Sequence, residues 1–163
     1  MQLYRAFLAE HYGFECQCSV CSLPLEDSRA SDKRLEAILE AYQRLASWEQ
    51  GRISGTDAIA HARRIWQLGE EEGYWSERGR LAADAAWVAA AHSESVLSAD
   101  VLHMKLTELP DHRAAEVAEW AQIAAQWYTY EVGVDSEQVA EMQQVALQPE
   151  RHRAWGTRPK YTV

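Results

Sequence analysis

Ser31-Asp32-Lys33-Arg34-Leu35-Glu36-Ala37-Ile38-Leu39-Glu40-Ala41-Tyr42-Gln43-Arg44-Leu45-Ala46 sets Leu35, Ile38, Leu39, Tyr42, Leu45 and Ala46 at steps of three and four. That is the period of one helix face turned towards a core. Ser31 reads as the N-cap, Asp32 puts negative charge at the positive end of the helix dipole, and Gly51 closes the element. The same period recurs on either side. Downstream, Ser54 or Thr56 opens a helix in which Ile59, Ala62, Ile65 and Trp66 share a face, and Gly73 stops it. Ser76 starts a third, rich in small residues (Leu81, Ala82, Ala85, Ala86, Val88, Ala89), which implies close helix approach. A helix over 96–109 ends at Pro110. Asp111 caps the longest, with Val117, Ala118, Ala121, Ala125, Tyr128 and Val132 running to Gly133. Asp135 and Gln138 make a capping box for the last, which fades at Gln148-Pro149. Upstream, Leu3, Phe7 and Leu8 mark a short helix over 2–11, and Pro24 with the restricted residue before it predicts an extended entry to the first long helix. The fold class is therefore all-α, built of antiparallel helix pairs joined by short turns. Trp120, Ala124 and Trp127 sit at repeat-like spacing, but no helical-repeat consensus recurs, and core aromatics is the plainer reading.

The chain has 163 residues, 47% of them hydrophobic, with 25 acidic against 16 basic side chains and a formal charge of -9. That balance argues against nucleic acid as a direct ligand. The densest basic stretches, His61-Ala62-Arg63-Arg64 and the tail from Arg151 to Lys160, read as a solvated helix face and a solvated terminus. No run of eighteen apolar residues and no charged-then-apolar leader is present, so neither a membrane span nor a secretory signal is expected, and the protein is placed inside the cell. Met1 leads directly into a helix-like segment, which suggests the downstream part of something longer.

All three cysteines fall within Tyr12-Gly13-Phe14-Glu15-Cys16-Gln17-Cys18-Ser19-Val20-Cys21. An odd number so closely spaced suits a reduced metal site better than a disulfide framework. Cys16, Cys18 and Cys21 are thus candidate zinc ligands, against the plainer reading of incidental thiols. Closed structural zinc sites take four ligands. Either a residue of this chain supplies the fourth, with His11 the nearest candidate, or another polypeptide segment does. His61, His92, His103, His112 and His152 form no i, i+4 pair and have no acidic partner at a motif spacing, so each reads as a surface or core histidine. No phosphate-binding glycine loop and no nucleophile elbow occurs. No catalytic residue is identified.

The stretch from Tyr12 to Cys21, followed by Ser22-Leu23-Pro24 and a helix opening at Ser31-Asp32, resembles the post-SET segment of SET-domain protein-lysine methyltransferases, and more closely that of the SET-and-MYND-domain branch and its fungal relatives. Gly133-Val134-Asp135-Ser136-Glu137, and Pro149 through His152 to Trp155-Gly156, resemble the ends of those proteins more loosely. The resemblance implies a zinc knuckle made by Cys16, Cys18 and Cys21 over residues 1–30, a tetratricopeptide-like helical domain over 31–148, and a C-terminal tail over 149–163. It implies that Phe14 stacks on the adenine of S-adenosylmethionine and that Tyr12 lines the channel for the substrate lysine. In the family the Asn-His cofactor motif, the cysteine giving the fourth zinc bond and the catalytic tyrosine lie in a SET core upstream, and none of them is in this sequence. The expected function is the C-terminal part of such a methyltransferase, in nucleus or cytoplasm, inactive alone and binding S-adenosylmethionine only with a SET core, its helical domain meeting a protein substrate or partner. The alternative is a self-standing helical interaction module whose knuckle is structural or vestigial.

Overall fold

The computed structural model describes residues 2–19, 21–93 and 112–158. Among them lie six α-helices and no strand: α1 (Gln2–Tyr12), α2 (Leu25–Ser47), α3 (Gly55–Glu72), α4 (Arg78–Ala91), α5 (His112–Glu131) and α6 (Glu137–Leu147), followed by a 3₁₀ turn, Pro149–Arg151. The helix expected over 96–109 and its neighbour cap Asp111 lie outside the described residues. Successive helices from α2 to α3, α3 to α4, and α5 to α6 pack against each other, as do α4 and α5. The pairing is antiparallel. Ser31 and Arg34, early in α2, both bond to Glu72 at the end of α3, and the Gly79 amide at the start of α4 donates to Glu131 at the end of α5.

Helix α2 begins before the expected Ser31 cap. Pro24 holds an extended backbone (φ -50°, ψ 150°), and the helix starts at the next residue with Glu26 and Asp27 in its first turn. The helix therefore crosses position 30/31, the boundary expected between knuckle and helical domain. Ser31 is buried inside it and donates to the Glu72 carboxylate at 2.7 Å. The buried face is also rotated from the expected stripe. It runs through Ser28, Ser31, Ile38, Ala41, Leu45 and Trp48, whereas Leu35 and Leu39 are exposed.

Helix α3 follows its sequence signals. Ser54 is the N-cap, accepting from the Asp57 amide at 3.1 Å, and Gly73 ends the helix in the left-handed region at φ 67°. A glycine fits there because it has no Cβ to clash with the carbonyl. In α4 the start falls at Arg78 rather than Ser76, after Glu77 in a left-handed conformation, φ 60°. For α6 the cap is Ser136, which accepts from the Val139 amide, in place of the expected Asp135 and Gln138 box.

The core centres on α4. Leu81, Ala82, Ala85, Ala86, Val88, Ala89 and Ala90 are all buried, so this helix is covered nearly all round, and its alanines face Val117, Ala121 and Ala124 of α5. Small side chains on both partners let the two backbones come close and trade side-chain volume for backbone contact.

The segment after α6 is a structural part rather than a solvated tail. His152 and Ala154 are buried. The amides of Gly156 and Arg158 donate to the carbonyls of Ala90 and Ala91 at 3.0 and 2.8 Å. Those are two of the last-turn carbonyls that a helix leaves without an internal partner. The Arg158 guanidinium then reaches back to α2, donating to the Trp48 carbonyl at 2.6 Å and lying 3.9 Å from the Trp48 ring centre.

Candidate metal centre

Helix α1 ends where Gly13 takes φ 71° and its amide donates to the Ala9 carbonyl. The left-handed residue turns the chain out of the helix, and 14–17 run without regular structure to a turn at the cysteines. There the Ser22 amide donates to the Cys18 carbonyl at 2.9 Å, and the Cys21 amide points at the Cys18 sulfur at 3.4 Å. This turn gathers the three thiols, and all three Sγ atoms lie within 4.8 Å of one another. Tetrahedral zinc with bonds of about 2.3 Å spaces its sulfurs about 3.8 Å apart, so the set fits a zinc ion with little movement. Cys18 is exposed and the other two partly so, and no disulfide links them.

Hydrogen bonding to Cys16, then to Cys18, pushes the Cys21 thiol up to about 11. A thiol crowded by two others holds its proton more firmly, and a metal that binds the sulfur displaces that proton. The structure thus brings together the three sequence-predicted ligands. It does not bring His11 to them: among the described residues no His, Asp or Glu joins the cysteine group. The His11 ring instead stacks on Phe7 at 4.2 Å with Nδ1 3.2 Å from the Phe7 carbonyl oxygen.

Tyr12 and Phe14 flank this turn with their rings largely in solvent, at 68% and 50% exposure. Tyr12 touches the edge of Phe7, with ring centres 6.1 Å apart. Helix α1 belongs to none of the closely packed helix pairs. Arg5 ties the segment to itself through long contacts of 3.5 Å to Glu15 and to the Cys21 carbonyl.

Two side-chain groupings escaped the sequence reading. Arg78 is 4% exposed, with its guanidinium 4.5, 4.2 and 5.1 Å from the ring centres of Trp66, Trp75 and Trp127. A second grouping lines a cleft where α4, α5, α6 and the segment after them meet. Neither has a spacing signature, since each is assembled from separate helices.

No family model, curated protein or solved structure matches the chain. Among the described residues no helix is long and apolar enough to cross a membrane.

Proposed function

We propose that this chain serves as the C-terminal part of a SET-domain protein-lysine methyltransferase, supplying a zinc-held wall to an active site whose catalytic core is another segment. The observation that carries the reading is the convergence of the Cys16, Cys18 and Cys21 sulfurs within 4.8 Å, directly after a helix, a left-handed glycine and two exposed aromatic residues. Three thiolates would hold zinc and leave one position for a ligand from the core. Zinc would fix a turn that otherwise has few contacts to hold it. Phe14 offers a flat apolar face for a purine and Tyr12 an aromatic wall that keeps water from a methyl transfer. Both rings are uncovered here, as a surface completed by another domain would be. The thiols require a reducing compartment, nucleus or cytoplasm. The helical domain would supply the surface for a protein substrate or partner.

Zinc titration against a chelator and methyl-transfer assays test this. The isolated chain binds zinc weakly, and Cys16→Ser, Cys18→Ser or Cys21→Ser each lowers the affinity sharply. Alone it neither binds S-adenosylmethionine nor methylates protein, since one stacked ring contributes only about 1 kcal/mol beyond its area burial. Joined to a cognate SET core it restores transfer, and Phe14→Ala weakens the cofactor. Zinc binding indifferent to all three cysteines, or turnover by the chain alone, would overturn the reading.

A further inference from the structure

A cavity of about 160 Å³ opens between α4, α5, α6 and the segment after the 3₁₀ turn, lined among others by Asp84, Trp87, Tyr128, Glu141, His152 and Arg153. A cavity of about 150 Å³ accommodates a ring the size of benzene, so this one admits the head of a side chain. Its lining has a definite chemistry. Two carboxylates come from different helices, Asp84 from α4 and Glu141 from α6, against the single cation Arg153. Among the described residues Glu141 forms no ion pair, and the ion-pair partner of Asp84 is Arg80 at 4.0 Å. The Trp87 ring already receives one guanidinium, that of Arg153, 4.5 Å from its centre. An indole beside two carboxylates is a setting in which a further cation gains both ring and charge attraction.

His152 supplies the complementary half. It is 5% exposed, and its Nδ1 accepts the Ala154 amide at 3.1 Å. With Nδ1 an acceptor, the proton of the neutral ring sits on Nε2, which forms no hydrogen bond among the described residues. Burial holds the ring below its ordinary pKa, ahead of the opposing pull of Glu141, so it adds no positive charge to the lining. The ligand that satisfies every group is therefore a cation that also carries an acceptor oxygen.

We propose that this cleft binds a basic residue of a peptide, its ammonium or guanidinium head between Asp84 and Glu141 and a main-chain carbonyl on the Nε2–H of His152. The net charge of -9 favours the approach of such a ligand at low salt. The site lies on the helical domain and uses no residue of the cysteine turn, so its test and that of the zinc knuckle fail separately.

The full chain is titrated at low ionic strength with N-acetyl-arginine methylamide, N-acetyl-lysine methylamide and a short peptide holding one arginine, following the Trp87 indole resonance assigned with Trp87→Phe. Saturable binding in about the millimolar range is expected for a single residue and tighter for the peptide. Glu141→Gln, an exposed isosteric change, and Asp84→Asn each weaken it several-fold to about tenfold, and raising salt does the same. Butylguanidinium, a single cation without the carbonyl, binds more weakly, and His152→Gln, which keeps an N–H donor, retains the preference for the carbonyl-bearing ligand. Absence of saturable shifts up to about 20 mM, an affinity range below any specific use, would overturn the site. So would affinities unchanged in both carboxylate variants with their helical circular dichroism intact. Equal affinity for butylguanidinium would overturn the peptide assignment.

Discussion

Gly55→Ala adds one methyl group at the first residue of α3, where helix propensity favours alanine over glycine by up to about 1 kcal/mol. The structure sets a larger effect against that gain. A Cβ at this position would stand 2.3 Å from Cδ2, 2.7 Å from Nε2 and 2.9 Å from Cγ of His92. That ring is 3% exposed, and its Nε2 accepts the Trp48 indole N–H at 2.9 Å, so it has little room to retreat. Overpacking of this kind costs about 1–3 kcal/mol. Displacing the imidazole also leaves the buried Trp48 donor unpaired, which costs about 1–3 kcal/mol more. After the propensity gain, we expect a net loss of about 1–5 kcal/mol, which for a domain of this size lowers Tm by about 2–20 °C. Urea and thermal unfolding followed by circular dichroism measure it. In a Trp48→Phe background the donor is already gone, so the same substitution should cost about 1–3 kcal/mol less. A Gly55→Ala protein as stable as the parent would refute the argument that His92 is pinned.

Three further outcomes are expected. Arg78→Met keeps much of the side-chain volume but loses three indole contacts, the Tyr74 carbonyl and Glu70, and should destabilise by about 1–3 kcal/mol; Arg78→Lys should lose part of this, and a neutral result for both would mean that the indoles hold themselves. Burial lowers the pKa of His152 below its ordinary 6.5, so the unfolded chain takes up a proton first and stability falls as pH drops from 6.5 through the folded value. Burial raises Asp84 above 3.8, so here the native state holds the proton better and stability is regained as pH falls through the folded value towards 3.8; denaturant midpoints against pH should lose the first slope in His152→Gln and the second in Asp84→Asn. Finally, residues 25–163 should unfold as cooperatively as the whole chain, because α1 belongs to none of the closely packed helix pairs, whereas ending the chain at 148 should lower Tm markedly; equal Tm for both truncations would contradict the part given to residues 152–158.

The all-helical fold was legible because apolar period and end signals coincide in α3: Ile59, Ala62 and Ile65 are buried between Ser54 and Gly73 as their spacing implies. Ser31 was misread because its partner, Glu72, lies 41 residues away, and a serine before an apolar run looks the same whether it caps a helix or bonds to a neighbouring one. Leu35 and Leu39 fit the helical period yet face outward, since period identifies a helix without deciding which of two adjacent apolar rows meets the core. The three cysteines were legible as a cluster because their ligands are local in sequence. The cleft at Asp84, Glu141 and His152 was not, because only the packing of α4, α6 and the C-terminal segment brings those side chains together.

The closure of α4 by Gly156 and Arg158 bears on the order in which this protein can be made. Arg158 and Trp48 are 110 residues apart, so while the chain emerges from the ribosome α2, α3 and α4 must wait with the Ala90 and Ala91 carbonyls facing water. Synthesis proceeds at about 5–20 residues per second, so this interval lasts several seconds. During it the end of α4 and the Trp48 ring are open to chaperones and to wrong partners. Substitutions at Arg158 should therefore lower the yield of folded protein in the cell by more than their effect on the finished molecule's stability.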